Sequence, residues 1–176
     1  MKKYLVTLVL ILMPSIFFGQ NAFDKYDGQD GVTAVVIGKK MFEMMGNVKS
    51  SDKDAQQYMN LVKKLESLKV FVTSSPKVTA DMKTTSAKYL KSAALEELMR
   101  VNDGGKNIKI YVKSGASSTK VKELLMFIEG GGKDETVLMS LTGNFDLNEI
   151  SMLTDKMNLP GGDALKKGTK GSKGPK

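Results

Sequence analysis

The apolar residues change period once along this chain, near residue 96, and that change limits its possible folds more than any other feature. Beyond it Ile108, Ile110 and Val112 alternate with Asn107, Lys109, Tyr111 and Lys113, which sends one set of side chains to a core and the other to water. Residues 98–102 and 107–113 flank Asp103-Gly104-Gly105-Lys106, and the Asp-Gly step marks a tight hairpin. Residues 121–129 and 136–143 form a second pair around Gly130, Gly131 and Gly132. Consecutive hairpins of this kind predict an antiparallel meander.

Ahead of residue 96 the signals are mostly helical. The apolar run 32–37 between Gly31 and Gly38 predicts a buried strand, and Met41, Phe42, Met44 and Met45 predict a short helix over 39–46. Ser51 with Asp54 predicts a capping box for a second helix whose stripe runs Tyr58, Leu61, Val62, Leu65 and Leu68. A short inner strand is expected over 70–73. Ser75 and Pro76 then supply an N-cap and a first-turn proline for a helix over 77–92 carrying Val78, Met82, Tyr89 and Leu90. Asp146 with Glu149 predicts a last helix through Leu147, Ile150, Leu153 and Met157, ending before Pro160. The expected fold class is α+β: a mixed sheet of about six strands with an antiparallel C-terminal meander, helices packed on one face, and right-handed connections wherever helices cross between parallel strands.

A chain of 176 residues suits one such domain, placed at 21–160 between two basic ends. Lys2 and Lys3 precede the ten apolar residues 4–13, broken by Pro14 and Ser15, so residues 1–20 read as a signal peptide cut beside Gly19 or Gln20. That run is shorter than the roughly 20 residues a spanning helix needs. With no cysteine the chain cannot follow the lipoprotein route. Residues 161–176 hold five lysines, five glycines and only Ala164 and Leu165 as apolar anchors, which predicts a disordered Lys/Gly-rich tail. The ends therefore carry most of the net charge of +8. Arg100 is the lone arginine beside 26 lysines, which argues against sequence-specific nucleic-acid contacts built on the planar guanidinium.

No His, Cys or Trp is present, which excludes imidazole bases, thiol nucleophiles, disulfides and Cys/His zinc sites. Ser74 with Lys77, and Ser117 with Lys120, have the spacing of serine acyl transferases, but the Ser-Asp-Asn and Lys-Thr-Gly partner motifs are missing. Asp24, Asp27 and Asp30 surround Gly28 at a spacing unlike an EF-hand, and turn chemistry explains them equally well. Met41, Met44 and Met45 suggest a soft Cu(I) site, but beside Phe42 they read as core filling. Glu96-Glu97 and Asp134-Glu135 are adjacent in sequence and point apart, so neither forms an acid/base pair. Gly130 to Gly132 join strands and do not open a helix as a phosphate loop would. No residue is assigned as catalytic, cofactor-binding or metal-ligating, and no cofactor is expected.

Asp30-Gly31-Val32-Thr33 leading to Lys40-Met41, the hairpin stretch Glu97 to Gly105, Ile110-Tyr111-Val112-Lys113, and Leu141 to Leu147 together resemble a family of small exported Bacteroidetes proteins of unknown function. The resemblance spans nearly all of 21–160 and leaves out the basic tail. It implies a periplasmic or cell-surface setting, with genes often beside envelope-stress sigma-factor operons, and brings no activity or ligand.

The function expected is a non-enzymatic binding or sensing module of the cell envelope, its partner an unknown envelope protein or an acidic surface. A Ser/Lys or carboxylate hydrolase of envelope polymers is one alternative. A surface-associated structural or adhesive protein is another.

Overall fold

The computed structural model describes residues 22–150, apart from 49, 104, 118 and 131–134. The signal-peptide segment, the basic tail, Gly104 and the last helix beyond Ile150 therefore lie outside the described residues. Among the described residues six strands form one sheet: β1 (Thr33–Gly38), β2 (Leu65–Thr73), β3 (Glu96–Asp103), β4 (Lys106–Ser114), β5 (Lys120–Glu129) and β6 (Thr136–Asp146). Their spatial order is β1-β2-β6-β5-β4-β3. Three helices accompany them among the described residues, α1 (Lys39–Gly46), α2 (Lys53–Val62) and α3 (Pro76–Ala93), with 3-10 turns at Asp24–Tyr26 and Leu147–Glu149.

The α+β class, the six strands and the meander are as expected. The sheet is not mixed: all five pairings are antiparallel. The reason lies in α1 and α2, which lead the chain back into β2 beside β1 and reverse its direction without crossing the sheet. Only α3 crosses. Four antiparallel steps separate β2 from β3, so the two run the same way, and the 18 residues of α3 carry the chain about 27 Å back along the sheet.

Nor are the helices confined to one face. Strand residues alternate between two clusters, Leu124, Met126 and Ile128 belonging to one and Leu125 and Phe127 to the other. The first face receives Phe42 from α1 and Leu61 and Val62 from α2. The opposite face receives Val78, Met82 and Tyr89 from α3, with Phe23 and Tyr26 from the first turn. Each fully buried Leu, Phe or Met contributes about 1.5–3 kcal/mol of transfer free energy, so both layers matter to stability.

Local chemistry sets the element ends. Ser75 caps α3, its hydroxyl accepting from the Val78 N–H at 3.5 Å, with Pro76 in the first turn. The capping box of Asp146 and Glu149 is present and opens the Leu147–Glu149 turn. The cap of α2 is Asp52 and not Ser51: its carboxylate accepts from Asp54 N–H at 3.0 Å, while Ser50 Oγ accepts from Asp52 N–H. In the first hairpin Asp103 pairs with Lys106, leaving a two-residue loop in which Gly105 has φ 90°.

Leu65 and Leu68 do not extend α2, which stops at Val62; both belong to β2. A bulge between Leu65 and Ser67 inserts one residue, so these two leucines reach the same face three positions apart and imitate a helical stripe. The first strand is also placed differently from expectation. β1 is an edge, with Val35 49% and Val36 48% exposed, because nothing among the described residues pairs with its outer side.

Candidate functional site

The β1–α1 segment is the part of the fold most at odds with burial. β1 reads Thr-Ala-Val-Val-Ile-Gly, a β-branched, uncharged sequence that pairs with β2 in unbroken register from Thr33 to Gly38. Its inner contacts are modest: Ala34, with Val32 just before the strand, packs on one face and Ile37 on the other. The chain passes directly into α1, whose inward side is Phe42 and Gly46, both buried. Gly46 is required there, since a Cβ would lie 2.5 Å from the Lys63 side chain and 3.2 Å from the Met59 carbonyl oxygen. The other side of the helix faces water. Met41 is 52% and Met44 63% exposed, and Val48 just past the helix is 59% exposed. Core filling thus holds for Met45, which packs against the first cluster, and fails for Met41 and Met44. Of the six large hydrophobic side chains exposed among the described residues, five fall within residues 35–48, and the sixth is Leu98.

A second feature is buried and polar. Tyr89, on the inner stripe of α3, donates its hydroxyl to both carboxylate oxygens of Glu123, at 2.8 and 2.9 Å. Glu123 is 6% exposed on β5. Burial pushes its pKa above the usual carboxylate value, against hydrogen bonds from Tyr89 and Ser140 and the charge of Lys113, its cross-strand neighbour. Burial and the neighbouring carboxylate likewise push the Tyr89 phenol up. Ser86, one turn before Tyr89, is buried with its hydroxyl unpartnered. The sequence places Val78, Met82 and Tyr89 on the apolar side of this helix but leaves the partner of the Tyr89 hydroxyl unmarked; an acid within the apolar run 121–128 is the one sequence signal that could have found Glu123. The cluster can hold a proton on Glu123. It brings no activated nucleophile.

Nearby on the same face, the Tyr26 hydroxyl donates to Asp81 at 2.9 Å and Lys25 pairs with Asp81 at 2.5 Å. The Lys25 and Tyr26 hydrogen bonds hold the Asp81 carboxyl below the ordinary range. Lys25 and Asp81 are both about half exposed, so this ion pair contributes little to stability. On the other side of the sheet an open cleft of about 460 Å³ is lined by Gln57, Asn60, Lys64 and Glu149. Lys64 and Glu149 close on each other there at 2.9 Å to both oxygens, so the cleft's two charges are already neutralised.

The residues weighed from sequence are dispersed. Ser74 precedes the α3 cap and is exposed, as is Lys77. Ser117 is exposed, and its carbonyl oxygen accepts from Lys120 N–H, while the Lys120 ammonium turns to Asp146 at 3.4 Å. Asp24 pairs with Lys69, and Asp27 and Asp30 are exposed in the turns that follow. Among the described residues no three His, Cys, Asp or Glu gather as ion ligands. Glu97 is tied to Arg100 at 2.7 Å on the outer strand β3. Gly130 has φ 70°, and a Cβ there would lie 2.3 Å from the Gly105 carbonyl oxygen, so this glycine locks one hairpin turn against the other. Asp134 lies outside the described residues.

Residues 26–153 match the family described as Domain of unknown function (DUF4252). The chain belongs to this family. The DUF4252 match takes in the six described strands, α1 to α3 and the Tyr89–Glu123 pair, and it agrees with the resemblance as far as a family of unknown function goes. No curated protein and no solved structure is significantly similar to the chain. No helix among the described residues of this DUF4252 protein is long and apolar enough to cross a membrane.

Proposed function

We propose that this DUF4252 protein is a non-enzymatic binding module of the cell envelope that engages its partner along the β1–α1 edge. The observation that carries this reading is the concentration of exposed apolar side chains in residues 35–48, on an uncharged edge strand and the helix that follows it. An edge strand offers unpaired backbone donors and acceptors for main-chain pairing, and exposed Val and Met side chains add apolar contact. The central strands carry the chain's own side chains packed on both faces, which leaves an edge as the place for a partner. The envelope setting rests on the n-region and short apolar run of residues 2–13.

The test is site-specific photo-crosslinking in the native cells, with the photoreactive residue at Val36 or, as control, at Leu98 on the opposite edge. Crosslinks that form from position 36 and not from 98 support the reading. Equal crosslinking from both, or none from 36, would overturn it. Intact mass of the recovered protein should show about 20 residues removed; a full-length chain recovered from cytosol would remove the envelope from the proposal.

A further inference from the structure

We infer that the partner on the β1 edge is a second copy of this chain, joined β1 to β1 in antiparallel sense about a two-fold axis. This rests on the reading of that edge as the binding surface. The symmetry restricts the geometry. In an antiparallel ladder, opposed residue pairs alternate between hydrogen-bonded and non-hydrogen-bonded types, so a two-fold axis has to pass through a pair made of one residue and its own copy.

Charge favours the antiparallel sense of this pairing. Asp30 lies three residues before β1, and Lys39 and Lys40 follow it directly; all three are exposed, and none forms an ion pair with another described residue. An antiparallel pairing centred on Val35 brings the turn that holds Asp30 in one copy to the end where α1 opens with Lys39 and Lys40 in the other, and does so twice. A parallel arrangement would set Asp30 against Asp30 and the lysines against lysines. The segment 30–40 is self-complementary in the antiparallel sense only: acid in the turn before the strand, base at the start of α1 and no charge between.

The other edge supplies the contrast. β3 carries Glu96, Glu97 and Arg100, and a bulge at Leu98 breaks its register with β4. Charges and a bulge are the devices that keep an edge from pairing. A six-residue ladder is small against the roughly 1,200–2,000 Å² of a stable interface, so the exposed Met41, Met44 and Val48 that follow the strand have to contribute, and the dimer is expected at about micromolar concentration.

The absence of cysteine makes the test direct. In purified full-length protein a single Val35→Cys should oxidise to a covalent dimer, because opposed Cα atoms at about 4.5–5.5 Å lie within disulfide reach. Leu98→Cys should remain largely unlinked. In sedimentation velocity, Val36→Lys should weaken the dimer about tenfold or more at an unchanged unfolding midpoint. Should that variant fold poorly, Asp30→Lys should weaken it too, and Asp30→Lys with Lys40→Asp should restore it.

Equal crosslinking at positions 35 and 98, or a wild type that stays monomeric at several hundred micromolar, would overturn self-pairing. A monomer that still photo-crosslinks another protein from Val36 would leave the binding reading standing and the second copy refuted. Loss of both signals would end both.

Discussion

The two edges of the sheet are built in opposite ways. β3 presents Glu96, Glu97 and Arg100, ties Glu97 to Arg100 at 2.7 Å, and has an irregular register around Leu98, which leaves that leucine 46% exposed as the bulged residue. β1 presents no charge, keeps a regular register over its six residues, and leaves two adjacent valines about half exposed. An edge that has to stay single is blunted, and β3 is. The same fold leaves β1 unblunted, which teaches that exposure of its valines is a property of this edge and not of edges in general.

Glycine substitutions should give the largest contrast. Gly130→Ala places a Cβ 2.3 Å from the Gly105 carbonyl oxygen at φ 70°, so on the β3 side it should lower stability by about 2–3 kcal/mol in chemical denaturation. Gly38→Ala, at the end of β1, meets no atom within 4 Å and has φ −96°. It should change stability by no more than about 1 kcal/mol. Equal losses would mean that β1 is packed as tightly as the β3 side.

The interior provides a control that touches neither edge. Tyr89→Phe removes the donor to both oxygens of buried Glu123 and should cost about 1.5–3 kcal/mol at neutral pH, while leaving self-association of the folded protein unchanged. Coupling between this pair and the dimer would break the edge comparison.

The pH dependence has a definite sign. The folded pKa of Glu123 is raised by burial, so its contribution to stability is fully present below the unfolded value of about 4.3 and is lost as pH rises through the raised folded value. Relative to Glu123→Gln, the wild type should therefore gain stability as pH falls through that window, as read from denaturation midpoints. Asp81 acts with the opposite sign. Its lowered pKa gives stability that is present above the unfolded value and lost as pH falls through the folded one, and its partial exposure keeps the effect small.

The smallest effects belong to the edges themselves. Val36→Lys and Leu98→Lys should each shift monomer stability by no more than about 0.5 kcal/mol in thermal unfolding, as exposed positions do. A larger loss for Val36→Lys would show that β1 is held by more than its contacts with β2.

Much of the fold was legible because its signals are local. The Asp103–Lys106 turn, Ser75 and Pro76 at the start of α3, and the Asp146–Glu149 box each depend on a few neighbouring residues. What escaped depends on residues far apart. The bulge after Leu65 turned a strand pair into an apparent helical spacing, and it is fixed by Gly143, where a Cβ would lie 2.4 Å from the Lys64 carbonyl oxygen. The run 32–37 is apolar enough for an inner strand, and only the strand order places it outermost. Met41 and Met44 share the short α1 with Phe42, but which side of that helix meets the sheet follows from the close approach of Gly46 to α2. Glu123 finds its partner 34 residues away, across the α3–β5 interface, where no sequence spacing points.

In the proposed self-pairing, β1 is open in the single chain and covered when copies meet. Hydrogen–deuterium exchange of residues 33–38 and 96–103, measured on the same protein at low micromolar and at several hundred micromolar concentration, tests this most directly. Protection of 33–38 should rise with concentration while that of 96–103 stays constant. Concentration-independent exchange in both segments, or a rise confined to 96–103, would contradict it.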